Sequence, residues 1–280
     1  MTRPLAIHVG LLLATFLTTT VTGGLWAAAE ATSFLDLLRR GLPYSVSLLA
    51  ILLAHESGHY LMCRRHGLDA SLPYFLPAPP TATLFGTFGA FIRIRSPFGD
   101  RRSLFDVGAG GPWAGFVVAV IALVVGLRLS TVQPLAPGES GIQLGDSLLT
   151  DLLTRWVVGA DPAGVRLHPV ALAGWFGLFV TSVNLFPVGQ LDGGHVLYAA
   201  LGRRPPIVPA LLIAVLLWIG WQRWVVWLVW SGILGLLVLL GHPATQDDAR
   251  PLDRVRRLGA LATMLLFVAT FVAEPFHIVS

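Results

Sequence analysis

His55, Glu56 and His59 follow one another as His55-Glu56-Ser57-Gly58-His59, two imidazoles four residues apart with a carboxylate directly after the first. Residues four apart share a helix face, so on a helix both rings can grip one divalent metal ion. Glu56 then lies close enough to take a proton from water held there. The surrounding run, 42–62, is almost uncharged and long enough to cross a bilayer. An ionisable group in such a run costs about 2.5–3.5 kcal/mol on insertion scales, which marks it as functional. Chemistry that consumes water is set where water is scarce.

Two histidines leave a catalytic metal site one protein ligand short, since three ligands and an open position are usual. The candidate third ligand is Asp192, in Asn184-Leu185-Phe186-Pro187-Val188-Gly189-Gln190-Leu191-Asp192-Gly193-Gly194-His195. Pro187 should kink or break the apolar helix before it, and Gly193 and Gly194 permit a close backbone turn. A carboxylate at that depth calls for a metal or a cation. Cys63, four residues after His59 on the same face, and His195 beside Asp192 are the competing ligands.

The elements that must carry these residues are membrane helices. The chain has 280 residues, 55% of them hydrophobic and 12% charged, with a mean hydropathy of +0.73, far from the quarter of charged residues usual in soluble domains. Apolar runs fall at 5–21, 42–62, 107–127, 169–187, 207–221, 224–240 and 258–272. The fold class expected is an all-α polytopic membrane protein of six to seven transmembrane helices. The runs at 207–221 and 224–240, parted only by Gln222 and Arg223, form either a tight hairpin or one long interrupted helix. Between the second and third helices, residues 86–95 alternate with the period of a strand, a short β element. Residues 71–85, with Pro73, Pro77, Pro79 and Pro80, fit neither helix nor central strand and are expected to run along the membrane surface.

The helix with His-Glu-x-x-His, followed much later by Asn184-x-x-Pro187-x-x-x-Leu191-Asp192-Gly193, resembles the site-2 protease family of intramembrane zinc metalloproteases, peptidase family M50. Gly110-Gly111-Pro112-Trp113-Ala114-Gly115 is similar to the Gly-Pro element that opens that family's intervening helix. The match runs from about residue 45 to 200. The resemblance implies one Zn²⁺ per chain held by His55, His59 and Asp192, with Glu56 as general base and Asn184 as a polar group near the tetrahedral intermediate. It further implies a zinc-dependent endopeptidase cutting peptide bonds in or near transmembrane segments of membrane proteins, for regulated proteolysis or clearance of membrane remnants. In that family the β element re-enters the membrane, and an edge strand there could take up an unwound substrate by main-chain pairing; the alternative is an ordinary cytosolic hairpin with Arg93 and Arg95 at lipid headgroups. The alternative is a non-proteolytic membrane metal-binding protein or transporter, for which Glu56 would have no evident use.

Every one of the 19 basic residues is Arg. With the N-terminus in the cytosol, only Arg39, Arg40, Arg128, Arg155, Arg166 and Arg223 fall outside, so the positive-inside rule favours that orientation. The expected location is the cell membrane, multi-pass, with the active site toward the cytosolic side. The sequence pI near 10.0 then reflects topology and anionic headgroups, with no nucleic acid partner needed. Arg3, the apolar run after it and Ala27, Ala28 and Ala29 could also be read as a cleaved leader.

The organisation expected is a first helix and external loop at 1–41, a catalytic membrane core at 42–200, and a hairpin with a final helix at 201–280. The stretch 129–168, polar and turn-rich with Glu139, Asp146, Asp151 and Asp161, is too short for a PDZ domain and suits a small external cap. Residues 241–257 are likewise too short for a CBS or other regulatory domain and read as a solvated connector. His8, His168, His242 and His277 are expected as hydrogen-bonded interfacial residues, and the spacing of Trp218, Trp221, Trp224, Trp227 and Trp230 suits an aromatic belt or helix packing.

Overall fold

A computed structural model of the chain describes residues 2–27, 31–132, 141–203, 207–242 and 244–279; Ala28, Ala29, Glu139 and the side chain of Arg3 lie outside what is described. The described residues form nine α-helices and three small two-stranded sheets. Three helices are long and apolar enough to cross a membrane, and three more apolar helices are shorter. The chain divides into two compact units, Met1–Ser96 with Trp113–Pro134 and Leu153–Leu178, and Pro97–Pro112 with Leu135–Leu152 and Phe179–Ser280.

In the first unit, α1 (Thr2–Trp26) packs against α2 (Phe34–Arg65). Ser33 caps α2 by accepting the Asp36 N–H, and Arg64 and Arg65 sit in its last turn, where cations suit the helix dipole. The two helices meet through small polar groups. The Thr19 and Ser45 hydroxyls are 2.6 Å apart, and Ser45 also donates to the Phe16 carbonyl. Such contacts let backbones approach closely where lipid offers no hydrophobic drive.

The β element is a hairpin of β1 (Tyr74–Pro77) and β2 (Thr87–Phe91), antiparallel with Tyr74 opposite Phe91. The ladder continues irregularly, with the Arg95 N–H donating to the Asp69 carbonyl and an isolated bridge joining Ala70 to Ile94. Residues 74–77 thus form a strand in a two-stranded sheet, which agrees with the expectation that 71–85 holds neither helix nor central strand. Pro77 falls where the register slips, so its missing N–H breaks no regular ladder bond. The hairpin lies lengthwise on α1. His8 Nδ1 is 2.9 Å from the Pro73 carbonyl near one end, and Trp26 donates to the Leu84 carbonyl near the other. Eighteen helical residues separate these contacts, about 27 Å, close to the thickness of a hydrocarbon core.

Helix α3 (Arg101–Arg128) carries Pro112 in its interior and passes from the second unit into the first at Pro112 and Trp113. Beyond it, β3 (Thr131–Val132) will pair with β5 (Val165–Arg166), just before α5 (Pro169–Asn184). Between them come β4 (Gly141–Leu144) and a helix that the composition of 129–168 concealed, α4 (Leu148–Val158).

In the second unit, α6 (Asp192–Leu201) follows the break at Pro187. The late apolar stretch proves to be two packed helices, α7 (Ile207–Gln222) and α8 (Val226–Leu240), which settles the choice in favour of a hairpin. Their core gathers Phe186, Val188, Leu216, Ile219, Trp227 and Leu234. Trp227 is fully buried and donates to the Ala273 carbonyl, so for this ring helix packing is the alternative that holds. The unit closes with α9 (Arg254–Thr270) and β6 (Phe276–Val279), which pairs with β4.

Residues 241–257 are exposed at most described positions, as a solvated connector should be, but they are also tied to the rest of the unit. Gln246 and Asp247 donate backbone N–H bonds to the Phe98 and Gly99 carbonyls, and Arg102 donates to the Pro251 carbonyl. Leu252 is buried among Leu104, Phe105, Val196 and Ala260. The mixed Asp and Arg of this stretch, which look solvated in composition, find partners on α3 and α9, and one leucine anchors the segment.

Candidate metal centre

The sequence of α2 determines how its chemistry is presented. His55 and His59 are one turn apart on α2, and both are buried, as is Glu56. Their Nε2 atoms lie 3.0 Å apart with the rings at 68° to each other. Two nitrogens bonded to one metal at about 2.0–2.1 Å must lie within about 4 Å of each other, so this pair fits a metal ion.

Helix α3 packs on the other side of one of these rings. An ideal Cβ at Gly115 would sit 3.0 Å from His55 Cβ and 3.2 Å from its Nδ1. Glycine here lets the α3 backbone rest on the imidazole, which is a physical use for the last residue of the Gly-Gly-Pro-Trp-Ala-Gly element. Sequence reasoning noted the element and missed this contact.

In the second unit, Asn184 is the last residue of α5 and Asp192 the first of α6. Pro187 keeps the two helices apart, and the intervening turn is tight. An ideal Cβ at Gly193 would lie 1.9 Å from the Leu185 carbonyl oxygen, so only glycine allows this backbone approach. Asp192 is partly buried in the first turn of α6, where the helix dipole favours a carboxylate. Asp192 thus offers an anionic oxygen at the start of α6 in the second unit, and His55 and His59 offer two imidazole nitrogens on α2 in the first.

The competing ligands have other surroundings. Cys63 is fully buried at the end of α2. His195 has Nδ1 2.7 Å from His242 Nε2, and the His242 ring stacks on Tyr198 at 4.2 Å. Tyr198 donates to Asp248, which also accepts from Thr245. The Thr245 hydroxyl bond is the main reason the Asp248 carboxyl lies below the ordinary carboxylate range. One imidazole nitrogen of His195 is thus committed to a polar network on the strap 241–257. His242 is hydrogen-bonded at a helix end, as expected.

Comparison with known proteins supplies the family. The pattern of Peptidase family M50 matches residues 43–219. The probable zinc metalloprotease EGY1, chloroplastic, of Arabidopsis thaliana is 37% identical over 183 residues, 63% of this chain and 32% of that protein. The probable zinc metalloprotease EGY2, chloroplastic, of the same plant is 30% identical over 61% of this chain and 30% of its own length. The probable zinc metallopeptidase EGY3, chloroplastic, is 25% identical over 94% of this chain and 48% of its own. The match with the first two covers about a third of each relative's length. With the buried His-Glu-x-x-His helix inside the matched region, the chain belongs to peptidase family M50.

Proposed function

We propose that this protein is a zinc-dependent membrane endopeptidase that cuts peptide bonds in or near transmembrane segments of other membrane proteins. The observation that carries the reading is the buried His55–His59 pair, with Nε2 atoms 3.0 Å apart, beside buried Glu56 on a helix long enough to span the bilayer. The relatives' names, probable zinc metalloproteases, support the choice of metal. Helices α1, α2, α3, α5, α7 and α8, with α9 as a seventh, make the spans. Residues 42–200 form the catalytic core, with the reactive end of α2 toward the cytosolic side.

In this reading His55, His59 and Asp192 hold the zinc. The third ligand is supported by its own unit: Asp192 is a carboxylate held in the first turn of α6 by the tight turn at Gly193, where the helix dipole suits an anionic oxygen donor. When bound, zinc supplies Lewis-acid polarisation of the scissile carbonyl and makes water more acidic. Glu56 removes the proton from the attacking water and returns it to the departing amide nitrogen, so the carboxylate is regenerated at each turnover. Asn184 offers its amide N–H to the oxygen that gains charge. The β1–β2 hairpin, lying along α1 at membrane depth, gives an unwound substrate strand an edge to pair with.

The test is a purified-protein assay with a transmembrane peptide in detergent. Wild-type protein should cleave, a chelator should abolish cleavage, and Glu56→Gln should abolish it with zinc still bound. Zinc flux in liposomes without any cleavage would instead establish a transporter.

A further inference from the structure

The exposed face of α4 is mostly apolar, with Arg155, paired to Asp161, its one charged member, while the fully buried positions are polar, the reverse of a soluble protein's helix. Leu148, Leu152 and Trp156 recur every four residues and are 70%, 62% and 72% exposed. On the opposite side, Ser147, Thr150 and Thr154 are all nearly fully buried. The polar face is satisfied locally. Thr150 N–H donates to the Ser147 hydroxyl and Ser147 N–H to the Thr150 hydroxyl, a reciprocal cap, and Thr150 also donates to Asp146. Three large side chains held in water along one stripe would be an isolated loss of apolar burial, whereas a lipid phase removes it.

The tethers say which phase is within reach. Thr131 of β3 follows the end of α3 by three residues, Arg166 of β5 precedes α5 by three, and these two residues pair directly. The His168 N–H also donates to the Ser130 hydroxyl, so the ends of α3 and α5 are clasped at one membrane face. Only six residues separate Val158 of α4 from Val165 of β5, a reach of at most about 24 Å. We infer that α4 is an interfacial helix that lays Leu148, Leu152 and Trp156 into the headgroup and acyl boundary at that face. Trp156 near its C-terminal end is the side chain that such a boundary prefers. The inference does not depend on zinc or on proteolysis.

The test uses the full chain with Cys63→Ser, Leu152→Cys carrying an environment-sensitive nitrobenzoxadiazole label, in phosphatidylcholine–phosphatidylglycerol liposomes. A second protein carries the label through Asp161→Cys, in the exposed turn after α4, and a third through Trp156→Cys. The expected result is blue-shifted emission at 152 and 156 relative to 161, with quenching by a nitroxide near the lipid headgroup stronger than by one at the chain end. Emission at 152 and 156 as red as at 161, with equal quenching by aqueous iodide, overturns the inference. Energy transfer between labelled copies without lipid quenching also overturns it and assigns the face to a second copy of the chain.

Discussion

Arg256 on α9 holds Asp106 on α3 through two parallel bonds, Nε to Oδ1 at 2.8 Å and Nη2 to Oδ2 at 2.7 Å. Both side chains are largely buried, and Arg256 reaches Asp253 as well. The fork geometry is what only a guanidinium supplies. Arg256→Ala leaves Asp106 desolvated with the bidentate bonds gone, and is expected to lower stability by about 2–4 kcal/mol. Arg256→Lys keeps the charge without the fork and should fall between wild type and Ala. Thermal unfolding in one detergent reads both, and equal melting for Lys and wild type would show that charge alone matters.

The Gly115–His55 contact predicts a metal phenotype from a residue that touches no metal. Gly115→Ala adds a methyl 3.0 Å from His55 Cβ and must turn or push the ring. Groups that orient a ligand histidine typically govern about 10–100-fold of metal affinity. Zinc affinity measured by chelator competition should drop within that range. The melting temperature of the metal-free protein should change little, since Ala suits a helix better than Gly. Unchanged affinity would show that the ring has room to spare.

His168 predicts an acid-sensitive end to α5. Burial holds its imidazole below the ordinary histidine value, and the Val170 N–H donates to Nδ1 at 3.3 Å, a bond that requires that nitrogen unprotonated. Because the folded-state pKa is lowered, the contribution is full above the ordinary value of about 6.5. It is lost as pH falls toward the folded value, where the unfolded chain already binds a proton the native state refuses. Thermal unfolding of wild type and His168→Gln should converge as pH drops from about 7 to about 5. Parallel profiles across that range would remove His168 as the cause.

Much of this was legible in the chain, and the misses share a physical cause. The His-Glu-x-x-His motif and the apolar runs announce themselves because the bilayer tolerates few alternatives to a helix. Pro187 and Gly193 likewise mark a helix break and a tight turn, as found. Strand β1 was hidden because Pro73 and Pro77 speak against a ladder, and only the register slip at Leu76 and Pro77 makes the proline harmless. Helix α4 was hidden because its glycine-rich and acidic flanks dominate the composition of 129–168, although Leu148, Leu152 and Trp156 carried the helical period. The anchoring of the strap 241–257 was not legible because its partners on α3 lie about 150 residues away, a distance that local pattern does not cross.

The identity of the third ligand is the prediction on which the proposed function turns. Asp192 opens α6 as an anionic oxygen donor, His195 has one ring nitrogen committed to His242, and Cys63 lies a full turn beyond His59. A site of two imidazoles and a carboxylate also leaves a fourth position for water, as hydrolysis needs. Zinc content of purified protein should therefore fall in Asp192→Ala while Cys63→Ala and His195→Ala keep theirs. His55→Ala, which removes a nitrogen from the 3.0 Å pair, should lose zinc in every background. Metal retained in Asp192→Ala and lost in His195→Ala would move the ligand one turn along α6. Metal retained in His55→Ala would end the zinc reading of α2 itself.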